Sequence, residues 1–185
     1  NNNIGRLFIV TAPSGAGKTS LVKALLKLCP QIQISISHTT RYPREDEKDG
    51  VDYFFVNNEI FENLKNNGEF LENAECHGAK YGTAKTPVDS TLKSGKDIIL
   101  EIDYQGALIV KDIFKEAISI FIIPPSMEIL KQRLVARGQN STVEINGRLT
   151  AAKEEIRHLE KFDYVIINEN FDKALDNLKS IYDDS

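Results

Sequence analysis

The stretch APSGAGKT, Ala12 to Thr19, follows the apolar run RLFIV, and its reading decides the fold. Arg6 to Ala12 (RLFIVTA) is short and apolar, as in a strand buried on both faces of a sheet. After the glycine-rich turn, Leu21, Val22, Leu25 and Cys29 fall on one helical face, and Pro30 ends that helix. Strand, glycine-rich turn and helix, in that order, are the setting of a phosphate-binding loop. The loop pattern is met except at its first position, where Ala12 replaces glycine. Gly15 and Gly17 leave room for backbone to wrap a phosphate, so that successive N–H groups point inward. A helix starting near Lys18 adds its positive end. Lys18 reaches the outer phosphates, and Thr19 offers a hydroxyl to Mg²⁺. Such a loop implies a nucleoside triphosphate. It does not name the acceptor, because GTPases, ATPases and small-molecule kinases all use it.

Further along, IQISIS (32–37) alternates like a second strand, and RYPREDEKDG (41–50) reads as a polar loop. VDYFFV reads as a strand, NEIFENLKNNG as a helix closed by Gly68, EFLENAEC as a strand, and TPVDSTLKSG as a helix ending at Gly95. DIILEID (97–103) is a buried strand with acids at its far end, and YQGALIVKDIF is helical. AISIFII is a strand stopped by Pro124 and Pro125; a helix capped by Ser126 follows. QNSTVEING reads as a polar, mobile connection before the helix RLTAAKEEIRHLEKF. DYVIIN reads as the last buried strand. FDKALDNLKSIY closes the chain as a helix with Ala174, Leu175, Leu178, Ile181 and Tyr182 inward. Four apolar strands alternating with helices predict an α/β fold, a parallel sheet flanked by helices. The shorter, alternating strands from about Ile34 to Gly82 predict an inserted, partly antiparallel lobe.

A chain of 185 residues suits one domain, and 41 % hydrophobic residues can supply its core. A net charge of −4 argues against a broad nucleic-acid-binding face. No apolar run has the length of a membrane span, and NNNIGRLFIV lacks the pattern of a signal peptide. Cys29 and Cys76 form no CxxC pair and read as free thiols of a reducing, cytoplasmic compartment. His38, His77 and His158 have no metal-ligand spacing.

SHTTRYPR (37–44) places Arg41 and Arg44 three residues apart around Pro43. Two guanidinium groups in one stiff loop can grip a second phosphate. Tyr53 and Tyr81 can each add a hydroxyl donor.

These segments together resemble the guanylate kinases. The matching pieces are APSGAGKT, SISHTTRYPR, GVDYFFV, GEFLENAECHGAKYGT, ILEIDYQGA, IFIIPPS, LKQRLVARGQNS and DYVIIN, in family order and over nearly the whole chain. The combination of SHTTR-x-P-R with YGT is the most specific part. The resemblance implies a P-loop NTPase-type core (1–33, 96–137 and 158–185), a GMP-binding lobe at about 34–95 and a small helical lid at about 138–157. It implies phosphoryl transfer from ATP to GMP with Mg²⁺, by a chain whose partners are those small molecules, with no nucleic acid and no membrane.

Carried over position by position, ATP meets Ala12, Pro13, Ser14, Gly15, Ala16, Gly17, Lys18, Thr19 and Ser20, with Arg133, Arg137 and Asn168, the last near adenine. The GMP phosphate meets Arg41, Arg44, Tyr53 and Tyr81, and guanine meets Ser37, Glu72, Thr83 and Asp103. Guanine offers N1–H and a 2-amino group on one edge, which carboxylates accept. Adenine offers no such donors, and a buried carboxylate left unpaired costs roughly 1–3 kcal/mol. Thr19 would hold Mg²⁺ directly, and Glu101 and Asp103 through water. Lys18, Arg41, Arg44, Arg137 and Arg148 would carry catalysis. Arg148 belongs to the lid, where Gly147 departs from relatives that carry a basic residue at that position. Three competing readings are a non-catalytic binding module of the same fold, a kinase of another small phosphate acceptor, and a GTPase switch. Intact Lys18 and Thr19, the guanine-reading set, and the lack of an NKxD-type motif respectively stand against them.

Overall fold

The apolar runs on either side of the glycine-rich turn assemble into one parallel sheet. The computed structural model describes residues 3–185. The elements begin β1 (Leu7–Thr11), α1 (Lys18–Leu28), β2 (Gln33–Ile34), β3 (His38–Thr39), β4 (Phe54–Phe55), α2 (Asn58–Asn66), β5 (Phe70–Cys76), β6 (Ala79–Ala84) and α3 (Lys85–Lys93). They continue β7 (Ile98–Glu101), α4 (Tyr104–Ile113), β8 (Ile118–Ile123), α5 (Met127–Arg137), α6 (Thr142–Ile156), β9 (Tyr164–Ile167) and α7 (Phe171–Asp184).

The main sheet has the order β2-β7-β1-β8-β9, with every pairing parallel. Side chains alternate across its pleat. Phe8 and Val10 join Leu21, Leu25, Leu178 and Tyr182 on the face covered by α1 and α7. Leu7 and Ile9 join Val88, Leu92, Ala107 and Val110 on the face covered by α3 and α4. Central β1 is buried throughout, so its register is well determined: a one-residue slip would exchange the two cores. Strand β9 departs from the expected buried strand. It lies at the sheet edge, and of its four residues only Ile166 is buried, while Tyr164, Val165 and Ile167 stay exposed. Its covered face is the one toward α1 and α7.

The expected strand 32–37 divides between two sheets. Gln33 and Ile34 pair with β7, and the chain then crosses to β3 in a second sheet of order β4-β3-β6-β5. The crossing is held at both ends: Ser35 N–H donates to Ile99 O, and Ser37 O accepts from Phe54 N–H. In the second sheet β3 runs parallel to β4 and antiparallel to β6, and β5 and β6 form an antiparallel hairpin, the mixed arrangement expected. The hairpin turns at His77 and Gly78, both with positive φ (49° and 77°), as two-residue turns matched to strand twist require.

The segment QNSTVEING is not a loop throughout. Helix α6 begins at Thr142, because Ser141 and Glu144 form a reciprocal capping box. Leu130 and Leu134 of α5 pack with Ile145 and Ala152 to hold α6 in place. Gly147 lies within α6, where a Cβ would meet nothing within 4 Å. Gly147→Ala is therefore expected to stabilise α6 by about 1 kcal/mol. That corresponds to a rise of about 2–4 °C in unfolding temperature for a chain of this size; an unchanged or lower value would show that the glycine is needed there. No helix among the described residues is long and apolar enough to cross a membrane.

Candidate functional site

A cavity of about 440 Å³ is lined by the glycine-rich loop, the second sheet, the end of β7, and helices α5 and α6. That volume lies within the range of small-molecule sites. The loop's shape follows from its glycines. Gly15 and Gly17 have φ of +88° and +90°, a region most side chains avoid. The Ala16 N–H donates to Pro13 O at 3.1 Å and closes the turn, which rests on Leu130 and Leu134 of α5. Gly17 is the N-cap of α1 and supplies no side-chain cap. The first N–H groups of α1 are thus left for an anion at the helix's positive end.

Three of the acids expected from sequence line the cavity beside this loop. Glu101 Oε2 lies 3.4 Å from Thr19 Oγ1. Asp103 caps α4, its Oδ1 accepting from Gly106 N–H at 2.9 Å; burial raises its pKa, opposed by that bond and by Lys18. Glu72 is buried and accepts the Thr83 hydroxyl at 2.7 Å. Burial pushes Glu72 up to about 7, and nearby Asp103 adds to the shift. Gly106 makes room for it, since a Cβ there would lie 2.5 Å from Glu72 Oε2.

Arginines converge from the other side. Arg41 forks onto Glu47 at 2.8 and 3.0 Å, and Glu47 also accepts the Arg44 N–H at 2.8 Å. The Arg41 guanidinium sits 5.3 Å from the Tyr53 ring centre. Burial raises the Tyr53 phenol to about 12, so it stays a neutral donor. Arg148 Nη1 donates to Ser14 Oγ at 2.7 Å and ties α6 to the loop. Arg133 Nη2 donates to Asn168 O at 2.9 Å. Arg137 is different: its Nε and Nη2 are buried and have no hydrogen-bond partner among the described residues. Burial lowers its pKa, and repulsion from Arg44, Arg148 and Arg41 lowers it further. A half-buried cation among three others, with two idle donors, calls for a multivalent anion.

The cavity gathers nearly every residue expected from sequence. The exceptions are Ala16, Thr83 and Asn168. Ala16 is buried beneath the loop. Thr83 stands behind Glu72, its one hydroxyl proton turned to that carboxylate and not into the cavity. Asn168 is buried, and its amide donates to Ala16 O at 2.8 Å. Among residues that sequence reading missed, Glu155, Cys76 and His77 line the cavity, and Glu47 orders the arginine loop. Glu155 lies seven residues after Arg148, two helical turns away on the same face, and that spacing was a readable signal. Burial pushes Glu155 up to about 7 and the Cys76 thiol to about 11.

Among the described residues no group of three or more His, Cys, Asp or Glu side chains forms a metal cage. The Thr19 and Glu101 oxygens instead suit Mg²⁺, which keeps waters and shares phosphate oxygens.

Comparison with known proteins adds to this geometry. A family model described as guanylate kinase matches residues 4–185. A guanylate kinase of Methylobacillus flagellatus is 57 % identical over 177 residues, 96 % of this chain and 88 % of that protein. One of Coxiella burnetii is 51 % identical over 176 residues, 95 % of this chain and 85 % of that protein. The crystal structure of guanylate kinase from Anaplasma phagocytophilum superposes with a TM-score of 0.81 at 35 % identity, covering 97 % of this chain and 85 % of that one.

Proposed function

Because the chain belongs to the guanylate kinase family, and so carries the γ-phosphoryl group of ATP to GMP, we propose a division of labour among its own residues. The glycine-rich loop and Lys18 hold the ATP phosphates, with Arg133 beside them. Arg41, Arg44, Tyr53 and Tyr81 hold the GMP phosphate. Ser37, Glu72 and Asp103 read guanine, and Thr83 acts by orienting Glu72. The second sheet, within about 34–95, is the GMP lobe, and α6, within about 138–157, is the lid. The observation that carries this reading is Arg137, whose idle buried donors lie with Arg41, Arg44 and Arg148 around one cavity.

An oxygen of the GMP phosphate attacks the γ-phosphorus, and the bond to the β–γ bridging oxygen breaks, giving GDP and ADP. A phosphate monoester has its second pKa near ~6, so the attacking oxygen is largely ionised at neutral pH. No general base is needed. The remaining problem is the repulsion between two polyanions, which Lys18 and the arginines offset as charge shifts to the leaving oxygen. Bound Mg²⁺ would add further charge neutralisation at the phosphates, with Thr19 holding it directly and Glu101 and Asp103 through water. Closure of α6 over the cavity excludes water that would otherwise hydrolyse ATP.

Production of ADP from Mg-ATP with GMP, AMP, CMP and UMP in turn tests the whole reading. Turnover with GMP alone is expected, and equal turnover with AMP would remove the base-reading role of Glu72. Glu72→Gln keeps the shape but loses the charge and one acceptor. It is expected to raise the KM for GMP about 10- to 100-fold with a smaller change in KM for ATP. Glu72 is ionised only above about 7 in the free protein. Ionised Glu72 is the form that accepts two guanine donors, so GMP binding drives its deprotonation and affinity rises with pH through that window. The GMP phosphate titrates near ~6 in both proteins. The wild-type KM for GMP should therefore fall more steeply between pH 6 and pH 8 than that of Glu72→Gln (a range set by about one unit either side of the Glu72 value). Parallel profiles would refute the assignment.

A further inference from the structure

Asn168 follows β9 and is buried, outside the cavity, with its side chain turned under the glycine-rich loop. Its Nδ2 donates to the carbonyl of Ala16 at 2.8 Å. In a trans peptide the C=O of one residue and the N–H of the next point in opposite directions. Holding the Ala16 carbonyl down toward Asn168 therefore turns the Gly17 N–H up, away from Asn168 and toward the cavity that Gly17 lines. A Cβ on Gly17 would collide with Asn168 Nδ2, so the amide fills the space that the missing side chain leaves.

Asn168 is itself held from two other elements. Its N–H donates to Ile123 O at the end of β8 at 2.8 Å, and its own carbonyl accepts Arg133 Nη2 of α5 at 2.9 Å. The ends of β8 and β9, helix α5 and the loop are thus tied through one residue. We infer that Asn168 is a positioning residue for phosphate binding: its side chain acts through the loop backbone by fixing the Ala16–Gly17 peptide. This inference rests on the reading of the loop as the ATP phosphate site. It gives the Asn168 side chain an indirect role at the phosphate end of the nucleotide, beside the place near adenine expected for this position.

Inorganic tripolyphosphate separates the two roles, because it has the phosphates of ATP and no base. Its inhibition constant against Mg-ATP is measured for the wild type, Asn168→Ala and Asn168→Asp, together with KM for ATP and for GMP. Inhibition of the wild type competitive with ATP tests the phosphate site itself; its absence would overturn both that reading and the inference. In Asn168→Ala, ATP and tripolyphosphate are expected to weaken together, each about tenfold, the effect of one lost buried hydrogen bond, while KM for GMP stays within about twofold. Asn168→Asp keeps the size but sets an acceptor against the Ala16 carbonyl, and is expected to weaken both further. Weakening of ATP with tripolyphosphate unchanged would mean a contact to the base and overturn the inference. So would variants that only lower the unfolding temperature and bind both ligands as the wild type does. If the aspartate variant does not fold, the alanine variant alone decides between these outcomes.

Discussion

Lys18→Ala is expected to cut kcat about a thousandfold with little change in unfolding temperature. Lys18 lines the cavity at the first residue of α1 and makes no hydrogen bond or ion pair with the described residues, so folding does not depend on it. Its proposed place is at the outer phosphates, where negative charge moves as the bond to the leaving oxygen breaks. Removing one preorganised charge-stabilising group typically costs about 10²–10³ in rate, more where charge transfer is the whole of the chemistry. Because the interaction strengthens on the way to the transition state, the loss falls mainly on kcat, and KM for GMP should change little. Single-turnover and steady-state rates at saturating Mg-ATP and GMP measure it. A rate within tenfold of wild type would remove Lys18 from the catalytic set.

Arg137→Ala is expected to lower kcat a hundredfold or more and yet to raise the unfolding temperature of the ligand-free protein. Two of its donor nitrogens are buried without partners, and Arg44, Arg148 and Arg41 all repel it. The arginine cluster is thus unfavourable by itself, and on the proposed reading a bound polyanion relieves it. Taking away the charge removes both the strain and the function, the trade expected where a site is kept away from its stability optimum. A rise of about 2–4 °C, near 1 kcal/mol for this chain length, is the expected scale. The same variant should also gain less stability on adding nucleotides than the wild type does, since stabilisation by ligand follows affinity. A variant less stable than wild type, or equally active, would refute the argument.

The parts of the fold legible in sequence were those fixed by strict local demands. A phosphate-binding loop needs Gly15, Gly17, Lys18 and Thr19 at set spacing between a strand and a helix, and all four line the cavity. The buried strands announced themselves because parallel sheets covered on both faces are apolar throughout. Strand β9 had the same composition, but burial depends on a neighbour that an edge position lacks. The first turns of helix α6, ahead of Arg148, were masked by Gly147 and the polar run before it, although Ser141 and Glu144 carried the start signal. Side-chain direction was the least legible feature. Thr83 and Asn168 have the right chemistry to meet a nucleotide, yet each turns to a partner inside the protein. Glu155 was legible in its seven-residue spacing from Arg148, whereas Glu47 was missed because an arginine–carboxylate pair closed within an irregular loop has no fixed spacing.

Glu47 gives the proposed acceptor site a thermodynamic character. Its two carboxylate oxygens hold the Arg41 fork, and one of them also takes the Arg44 N–H, so the loop from Arg41 to Glu47 is organised around an anion that the chain itself provides. Ordering a loop costs about 1–2 kcal/mol per residue, and here that cost falls on folding and not on ligand capture. A phosphate arriving at this loop meets donors already in position. Its association should be fast, and its binding enthalpy should carry little opposing entropy from the loop.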